Sequence, residues 1–216
     1  MMKISVLIPI KDEPYINYLV EDIHKALKKI KHEVIVIDKS DIQPKIKNAK
    51  LVLQKSNGLG KAVLEGLKHA SGNVIVTMDG DGSHRASDIL KLINELNGVS
   101  IVIGSKFAKG GKTEDKRYRK FISDFYRTVE EITLRIGVND PMSGFAAIKK
   151  EVYNRIKLNP MGYKINMELM YKAKKLGFKI KEVPIIFFPR RFGRSKSGIL
   201  EGIKAIIFIF KLRLGY

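Results

Sequence analysis

Cysteine and tryptophan are both absent from this 216-residue chain, and acids are scarce: 22 Asp and Glu stand against 41 Lys and Arg, a net charge of +19. Without cysteine no disulfide or thiolate metal site can form, and a reducing cytosol suits the chain without being required of it. Long apolar runs are missing too. The longest candidate, Ala205 to Phe210, is bounded by Lys204 and Lys211, far short of the roughly 18 residues of a membrane span. Met1 to Ile10 lacks the charged, apolar and small-residue layout of a signal peptide. The shortage of acids leaves a field that attracts polyanions, whether nucleic acid, anionic lipid heads or phosphorylated substrates; a scattered, solvated lysine surface gives the same count. The length suits one α/β domain with a tail better than two full domains.

What is present alternates. Residues 3–10 (KISVLIPI), 33–38 (EVIVID), 50–54, 73–78 (NVIVTM) and 100–104 read as short, apolar, β-branched strands. Between them Ile16, Leu19, Val20, Ile23, Leu27 and Ile30, then residues 58–70, then Ile89, Leu92, Ile93 and Leu96 recur at helical spacing. Strands alternating with helices predict a mostly parallel central sheet with helices on both faces. After residue 104 the pattern changes. Residues 105–118 read as a Gly- and Lys-rich loop, and 119–136 as an amphipathic helix with Ile122, Phe125, Val129, Ile132 and Ile136 on one face. A break at 139–144, two shorter helices, a strand at 178–188, a basic loop at 189–197 and a final helix at 198–214 follow.

The fourth strand ends in Asp79-Gly80-Asp81-Gly82-Ser83. Residues i and i+2 of an extended segment share a side, so both carboxylates can face one point beyond the strand's carboxyl end. Ligands of open α/β sheets bind there. Two hard oxygen ligands suit Mg2+ or Mn2+, with water and substrate phosphates filling the other positions. Asp and Gly are also the usual turn formers, but closing a strongly apolar strand in an α/β pattern favours the metal. A calcium loop does not fit, because His84 stands at its sixth position and Leu90 at its twelfth.

Asn57-Gly58-Leu59-Gly60-Lys61 is neither a P-loop, since Lys55 and Ala62 occupy required positions, nor a dinucleotide fingerprint, since Val63 replaces its third glycine. What remains is a Gly-rich helix start that either meets phosphate through free N–H groups and Lys61 or is shaped for packing.

In order along the chain, Ser5 to Glu13, Asn57 to Ala62, Met78 to His84, Gly104 to Phe107 with Gly110-Gly111, Arg119-Lys120 with Ser123, Asp140 to Phe145, Gly162 to Glu168, Glu182 to Ile185, and Arg190 to Lys196 resemble the motifs of family-two glycosyltransferases of the GT-A fold. The similarity is strongest to dolichyl- and polyprenyl-phosphate mannose synthases. The resemblance implies a nucleotide-sugar half at 1–104 and an acceptor half at 105–197 in one catalytic domain, followed by an amphipathic helix at 198–216. It implies a nucleotide-sugar site at Pro9, Ile10, Glu13, Asp38, Gly58, Lys61, Asp79 and Gly80. It implies Mg2+ or Mn2+ on Asp79, Asp81 and Ser83, and acceptor or diphosphate contacts at Lys106, Arg119, Ser143, Arg190 and Lys196. Asp81, Asp140 and Arg119 would carry the catalysis.

The implied reaction is inversion by direct displacement, with a hexose, mannose favoured, passing from GDP-mannose to a polyprenyl phosphate whose oxygen is already anionic. A hydroxyl acceptor would instead need a base, for which Asp140 is the candidate; its alternative role is a turn residue before Pro141. Departures from the family bear on the donor and the basic residues. Lys39 follows Asp38 where a second acid is usual, residues 38–50 are short for a helix, Lys106 replaces an arginine, and Arg194 stands where an acid is common. UDP-sugars such as UDP-glucose therefore stay open as donors. Without tryptophan the Q-x-x-R-W motif of processive synthases cannot occur. Ile199, Ile203, Ile206, Ile207, Phe210 and Leu214, with Lys204, Lys211 and Arg213 nearby, form a stripe that suits an anionic membrane surface, core packing, or a dimer partner. The expectation is a cytoplasmic protein, peripheral at the cytosolic membrane face, with a membrane-anchoring subunit or homodimer as further partners. Nucleic-acid binding and a catalytically dead binding subunit rank below these, since the first leaves the strand-terminal acids unexplained.

Overall fold

A computed structural model describes residues 2–114, 117–160, 162, 164–191 and 199–215, with the backbone alone at 117–124 and 199–201. In chain order the elements are β1 (Ile4–Ile10), α1 (Ile16–Ala26), β2 (His32–Asp38), β3 (Lys50–Leu53), α2 (Leu59–Leu67), β4 (Val74–Thr77), α3 (Asp88–Asn94), β5 (Ile101–Ser105), β6 (Lys112–Thr113), α4 (Arg117–Leu134), β7 (Ala146–Lys149), α5 (Lys150–Arg155), α6 (Ile165–Lys175), β8 (Ile180–Pro184), β9 (Ile186–Phe187) and α7 (Ile199–Leu214).

Seven strands form one sheet in the order β3-β2-β1-β4-β7-β5-β8. β1 pairs in parallel with β2 and β4, in registers that set Ile10 beside Asp38 and Leu7 beside Thr77. β1, β2 and β4 are buried nearly throughout, as strands covered on both faces by helices must be. One core lies under α1 and α3 (Ile8, Val20, Ile23, Ile89) and another under α2 (Leu7, Ile37, Val63, Ile75). A third gathers β5, β7, α6 and α7 (Ile103, Ile148, Leu169, Ile209). Each fully buried Leu or Ile contributes about 1.5–3 kcal/mol.

The parallel α/β architecture expected from the sequence is present, with three differences. β7 was not anticipated: it runs antiparallel between β4 and β5, and its AAIK sequence lacks the β-branched density of the other strands. The segment read as a loop at 105–118 holds β6, which pairs with β9, and the strand expected at 178–188 is split into β8 and β9. The faces of the last long helices also differ from a buried stripe. α7 packs against α4 and buries Ala205, Phe208, Ile209 and Leu212, while Ile203, Ile207, Phe210 and Leu214 stay exposed. On α4, Phe125 and Ile132 are exposed as well. The side chains of Ile122 and Ile199 lie outside the described residues.

α2 begins at Gly58 (φ +97°), a left-handed conformation that glycine adopts without strain. A side chain at Gly60 would come within 2.5 Å of Pro160 Cβ and 2.8 Å of the Gly162 carbonyl, and the Gly60 N–H donates to that carbonyl. Close packing thus accounts for the second glycine of this stretch.

One core residue is out of character. Glu130 on α4 is 2% exposed, and neither carboxylate oxygen has a hydrogen-bond partner among the described residues. Burial pushes its pKa from 4.5 up to about 8, with Asp140 and Glu131 adding to the rise. The folded state therefore keeps a proton that the unfolded chain releases, and stability falls as pH climbs from 4.5 to about 8. Glu130→Gln removes this penalty. Its thermal midpoint should exceed that of the parent at pH 8 but not at pH 4.5, by about 2–4 °C for each kcal/mol relieved. Equal midpoint differences at both pH values, read by circular dichroism, would count against a buried neutral acid.

Candidate active site at the carboxyl edge of the sheet

The sheet ends β1, β2 and β4 on one edge, and the acidic loop leaves from β4. Met78 N–H donates to the Leu7 carbonyl, which prolongs the β1–β4 ladder by a step. Gly80 follows against β1, where a side chain would come within 2.5 Å of Ile10. The loop can therefore lie on the strand end only without a side chain there. Gly82 turns back at φ +78° beneath the Arg191 side chain.

These turns bury Asp81, which is 4% exposed. Its Oδ1 accepts the Ser83 N–H at 3.0 Å, and its Oδ2 meets Arg190 Nε at 3.1 Å. Arg190 also lies 3.9 Å from Glu13, so one guanidinium joins the β1–α1 turn to the acidic loop. The connection is doubled in the backbone: Arg191 N–H donates to the Asp81 carbonyl and Phe188 N–H to the Ser83 carbonyl. The Ser83 hydroxyl is fully buried and has no hydrogen-bond partner among the described residues.

Asp79 is differently placed. His84 Nε2 lies 3.3 Å from its Oδ2; a carboxylate accepts, so Nε2 is the donor. Gly144 covers the same carboxylate, and a Cβ there would stand 2.7 Å from Oδ2. Burial alone would raise the Asp79 pKa, but the His84 hydrogen bond and charge, with the Arg190 charge, outweigh it and hold the group below its usual value. The His84 ring stacks on Phe145 at 4.9 Å and meets Phe187 edge-on at 5.3 Å.

A second carboxylate stands across this aromatic group. Asp140 accepts a long hydrogen bond from Lys106 N–H at 3.4 Å, and Lys106 Nζ lies over Phe187 at 4.5 Å. Burial raises the Asp140 pKa to about 6, opposed by the Lys106 charge and N–H and reinforced by Glu182. The segment after Asp140 crosses to β5. The Ser143 hydroxyl donates to the Gly104 carbonyl at 2.7 Å, and Asn166 Nδ2 holds the Ser143 carbonyl at 2.6 Å.

The structure thus brings Glu13, Asp79, Gly80, Asp81, Ser83 and Arg190 together beyond Ile10, with Asp140 and Lys106 reached through His84 and Phe187. Pro9 is the β1 residue just before Ile10. Asp38 ends β2, paired with Ile10, and is buried with its Oδ1 taken by the Ser40 N–H and hydroxyl. Gly58 starts α2, and Lys61 is exposed on the first turn of that helix. The Ser143 hydroxyl, expected to meet phosphate, donates its proton to a backbone carbonyl. Arg119 lies outside the described side chains and Lys196 outside the described residues. Three residues with no role assigned from sequence sit in this site: His84, Asn166 and Glu182. A histidine directly after the acidic loop was the one local signal among them.

The donor set fits a hard divalent cation. Two carboxylates and an unpartnered buried hydroxyl all offer oxygen. No group of three or more His, Cys, Asp or Glu among the described residues forms a cage, and Mg2+ bound with substrate phosphates needs only one or two carboxylates.

Residues 5–157 match Glycosyl transferase family 2. The dolichol-phosphate mannosyltransferase of Pyrococcus furiosus is 40% identical over an aligned length of 228, gaps included, that covers 97% of this chain and 64% of that protein. The polyprenol monophosphomannose synthase of Mycolicibacterium smegmatis is 33% identical over 147 residues, 64% of this chain and 56% of that protein. The chain thus spans less than two thirds of the length of these curated relatives. Among solved structures, glucosyl-3-phosphoglycerate synthase from Mycobacterium tuberculosis, in complex with Mn2+, UDP and phosphoglyceric acid, superposes with a TM-score of 0.78 at 21% identity, covering 99% of this chain and 79% of that one. That likeness shows a GT-A type of fold. With the match running through the acidic loop and on past β7, the chain belongs to glycosyl transferase family 2.

Proposed function

We propose that the chain transfers a hexose, mannose favoured, with inversion from a nucleotide-sugar, GDP-mannose favoured, to a polyprenyl phosphate. The observation that carries this reading is the 40% identity over 97% of the chain to a protein named dolichol-phosphate mannosyltransferase. The site supports it with a carboxylate pair and an unpartnered hydroxyl beside a guanidinium. Asp79, Asp81 and Ser83 would hold Mg2+ or Mn2+, which when bound neutralises the departing diphosphate. Pro9, Ile10, Glu13, Asp38, Gly58, Lys61 and Gly80 would line the donor side. Arg190, Lys106, Ser143, Arg119 and Lys196 would meet acceptor or diphosphate oxygens, for which a guanidinium offers paired, charge-assisted bonds. An anionic phosphate acceptor needs no strong base, so positioning and cationic stabilisation would carry the step.

One observation favours a second reading. The raised pKa of Asp140 suits a general base toward a hydroxyl acceptor, and a UDP donor then stays open. The two readings separate in one experiment. With Mn2+, labelled GDP-mannose or UDP-glucose and polyprenyl phosphate, label should enter lipid. Asp81→Ala should lower Mn2+ affinity, read by electron paramagnetic resonance, and transfer by at least the about 10–100-fold typical of losing a metal site's supporting residue. Asp140→Asn should leave lipid-phosphate transfer largely intact in the first reading and abolish turnover, with donor binding kept, in the second. No labelled lipid with either donor, or full activity in Asp81→Ala, defeats the main proposal. If Asp140 must be ionised, the rate should rise as pH climbs through about 6, and that step should vanish in Asp140→Asn.

Residues 1–197 would act as one catalytic domain. Residues 198–216 would rest on the cytosolic membrane face through the exposed Ile203, Ile207, Phe210 and Leu214, alone, as a homodimer, or beside an anchoring subunit. Among the described residues no helix is long and apolar enough to cross a membrane, and cations flank the apolar face at Lys211 and Arg213. The protein should co-sediment with vesicles of anionic lipid at low salt, and an Ile207→Asp, Phe210→Asp double variant should stay in the supernatant. Unchanged sedimentation of that variant would remove the helix from the membrane contact.

A further inference from the structure

Glu182 lies on β8, beyond β5 at the edge of the sheet, and spends its carboxylate on a turn more than forty residues earlier. Oε2 accepts the Asn139 backbone N–H and side-chain amide, both at 2.8 Å. Oε1 accepts the Asp140 N–H at 2.9 Å. Bonds from N–H donors to a carboxylate are charge-assisted and about twice as strong as neutral ones. Two consecutive backbone N–H groups aimed at one carboxylate orient both flanking peptide planes, and so set where the Asp140 side chain leaves the backbone. The turn closes behind it through Ser143 N–H to the Asp140 carbonyl.

On the other side of the turn Asp140 meets Lys106. Its hydrogen bond from Lys106 N–H is long, at 3.4 Å. Among the described residues the ionisable groups facing it are Lys106 before β6, His84 after β4, Glu130 on α4 and Glu182 itself. We propose that Glu182 is a positioning residue: it clamps the Asn139–Asp140 turn so that the Asp140 carboxylate is presented to the reaction centre. This rests on the second reading above, in which Asp140 acts as a base toward a hydroxyl acceptor, and the test separates the clamp from that reading.

The test is Glu182→Gln. A carboxamide brings one oxygen to three donors and turns its own N–H2 toward at least one of them. Amide exchange at Asn139 and Asp140, followed by mass spectrometry or NMR, should quicken about tenfold or more. Turnover with a hydroxyl acceptor, for which Asp140 is the base, should fall about 10–100-fold, with KM for the donor little changed. In a double-mutant cycle, Glu182→Gln should add nothing to Asp140→Asn, because one acts through the other. Unchanged exchange, additive losses, or full turnover in Glu182→Gln where Asp140→Asn is impaired would overturn the proposal. Faster exchange with Asp140→Asn fully active would uphold the clamp and overturn the role given to Asp140. Should Glu182→Gln not fold, Glu182→Asp keeps the charge with a shorter reach, and intermediate exchange and turnover are expected of it; parent values for both would count against the clamp.

Discussion

A carboxylate buried at the end of an apolar strand is costly unless N–H groups or cations meet it. Asp81 is such a group, and the surroundings of the site follow from satisfying it. The Ser83 N–H takes one oxygen, which requires the chain to double back at Gly82. Arg190 takes the other, which requires the segment after β9 to lie across the acidic loop. That segment is tied down by two backbone bonds to the same loop. The acidic end of the first half and the basic end of the second half are thereby placed against each other. Gly80 on Ile10 and Gly144 on Asp79 are the close approaches that make room for this. A methyl group at either position would collide with a side chain that is itself part of the site.

The second carboxylate is governed by the opposite balance. Asp79 is pulled toward its ionised form by His84 and Arg190, while Asp140 is pushed toward its protonated form by burial and by Glu182. Carboxyls of unlike proton affinity within one site have unlike chemistry open to them. Asp79 is held toward the form that attracts a cation. Asp140 is suited to exchange a proton or to orient a neutral group. Lys106 sits between these tendencies, with its N–H on Asp140 and its ammonium over Phe187. An arginine there would carry a wider, planar head with five donors.

Much of the scaffold was legible because its strands are continuous, β-branched and buried on both faces: Ile4–Ile10, His32–Asp38 and Val74–Thr77. β7 was not legible. Its two alanines and immediate passage into α5 give no local cue, and its antiparallel direction is set by the connection through α4. The helix α7 shows a different limit. It is apolar nearly all round, and spacing alone cannot choose which face is buried; contact with α4 buries Ala205, Phe208, Ile209 and Leu212 and leaves the anticipated stripe outside. In the site, Asp79 and Asp81 were readable as the end of an apolar strand. Glu182 was visible only as part of a motif, because its partners are 42 and 43 residues away, and nothing in its neighbours announces them.

The distribution of charge adds a constraint on what can bind. A chain with 41 basic and 22 acidic side chains has no need of acids to be soluble, yet several of its acids are buried, among them Asp38, Asp81, Asp88, Glu130 and Glu168. Some have structural partners: Lys91 for Asp88, and Lys172 with the Asn159 N–H for Glu168. Asp81 has a guanidinium on one oxygen and an unpartnered hydroxyl two residues on. At this edge Asp79 and Asp81 lie beside Arg190, and carboxylates repel a phosphate unless a cation stands between. A polyanion bound only by the general positive field would avoid this place and sit on the outer surface. A diphosphate accompanied by a divalent ion would be drawn to it, because the ion satisfies the carboxylates and the guanidinium beside them satisfies the phosphate.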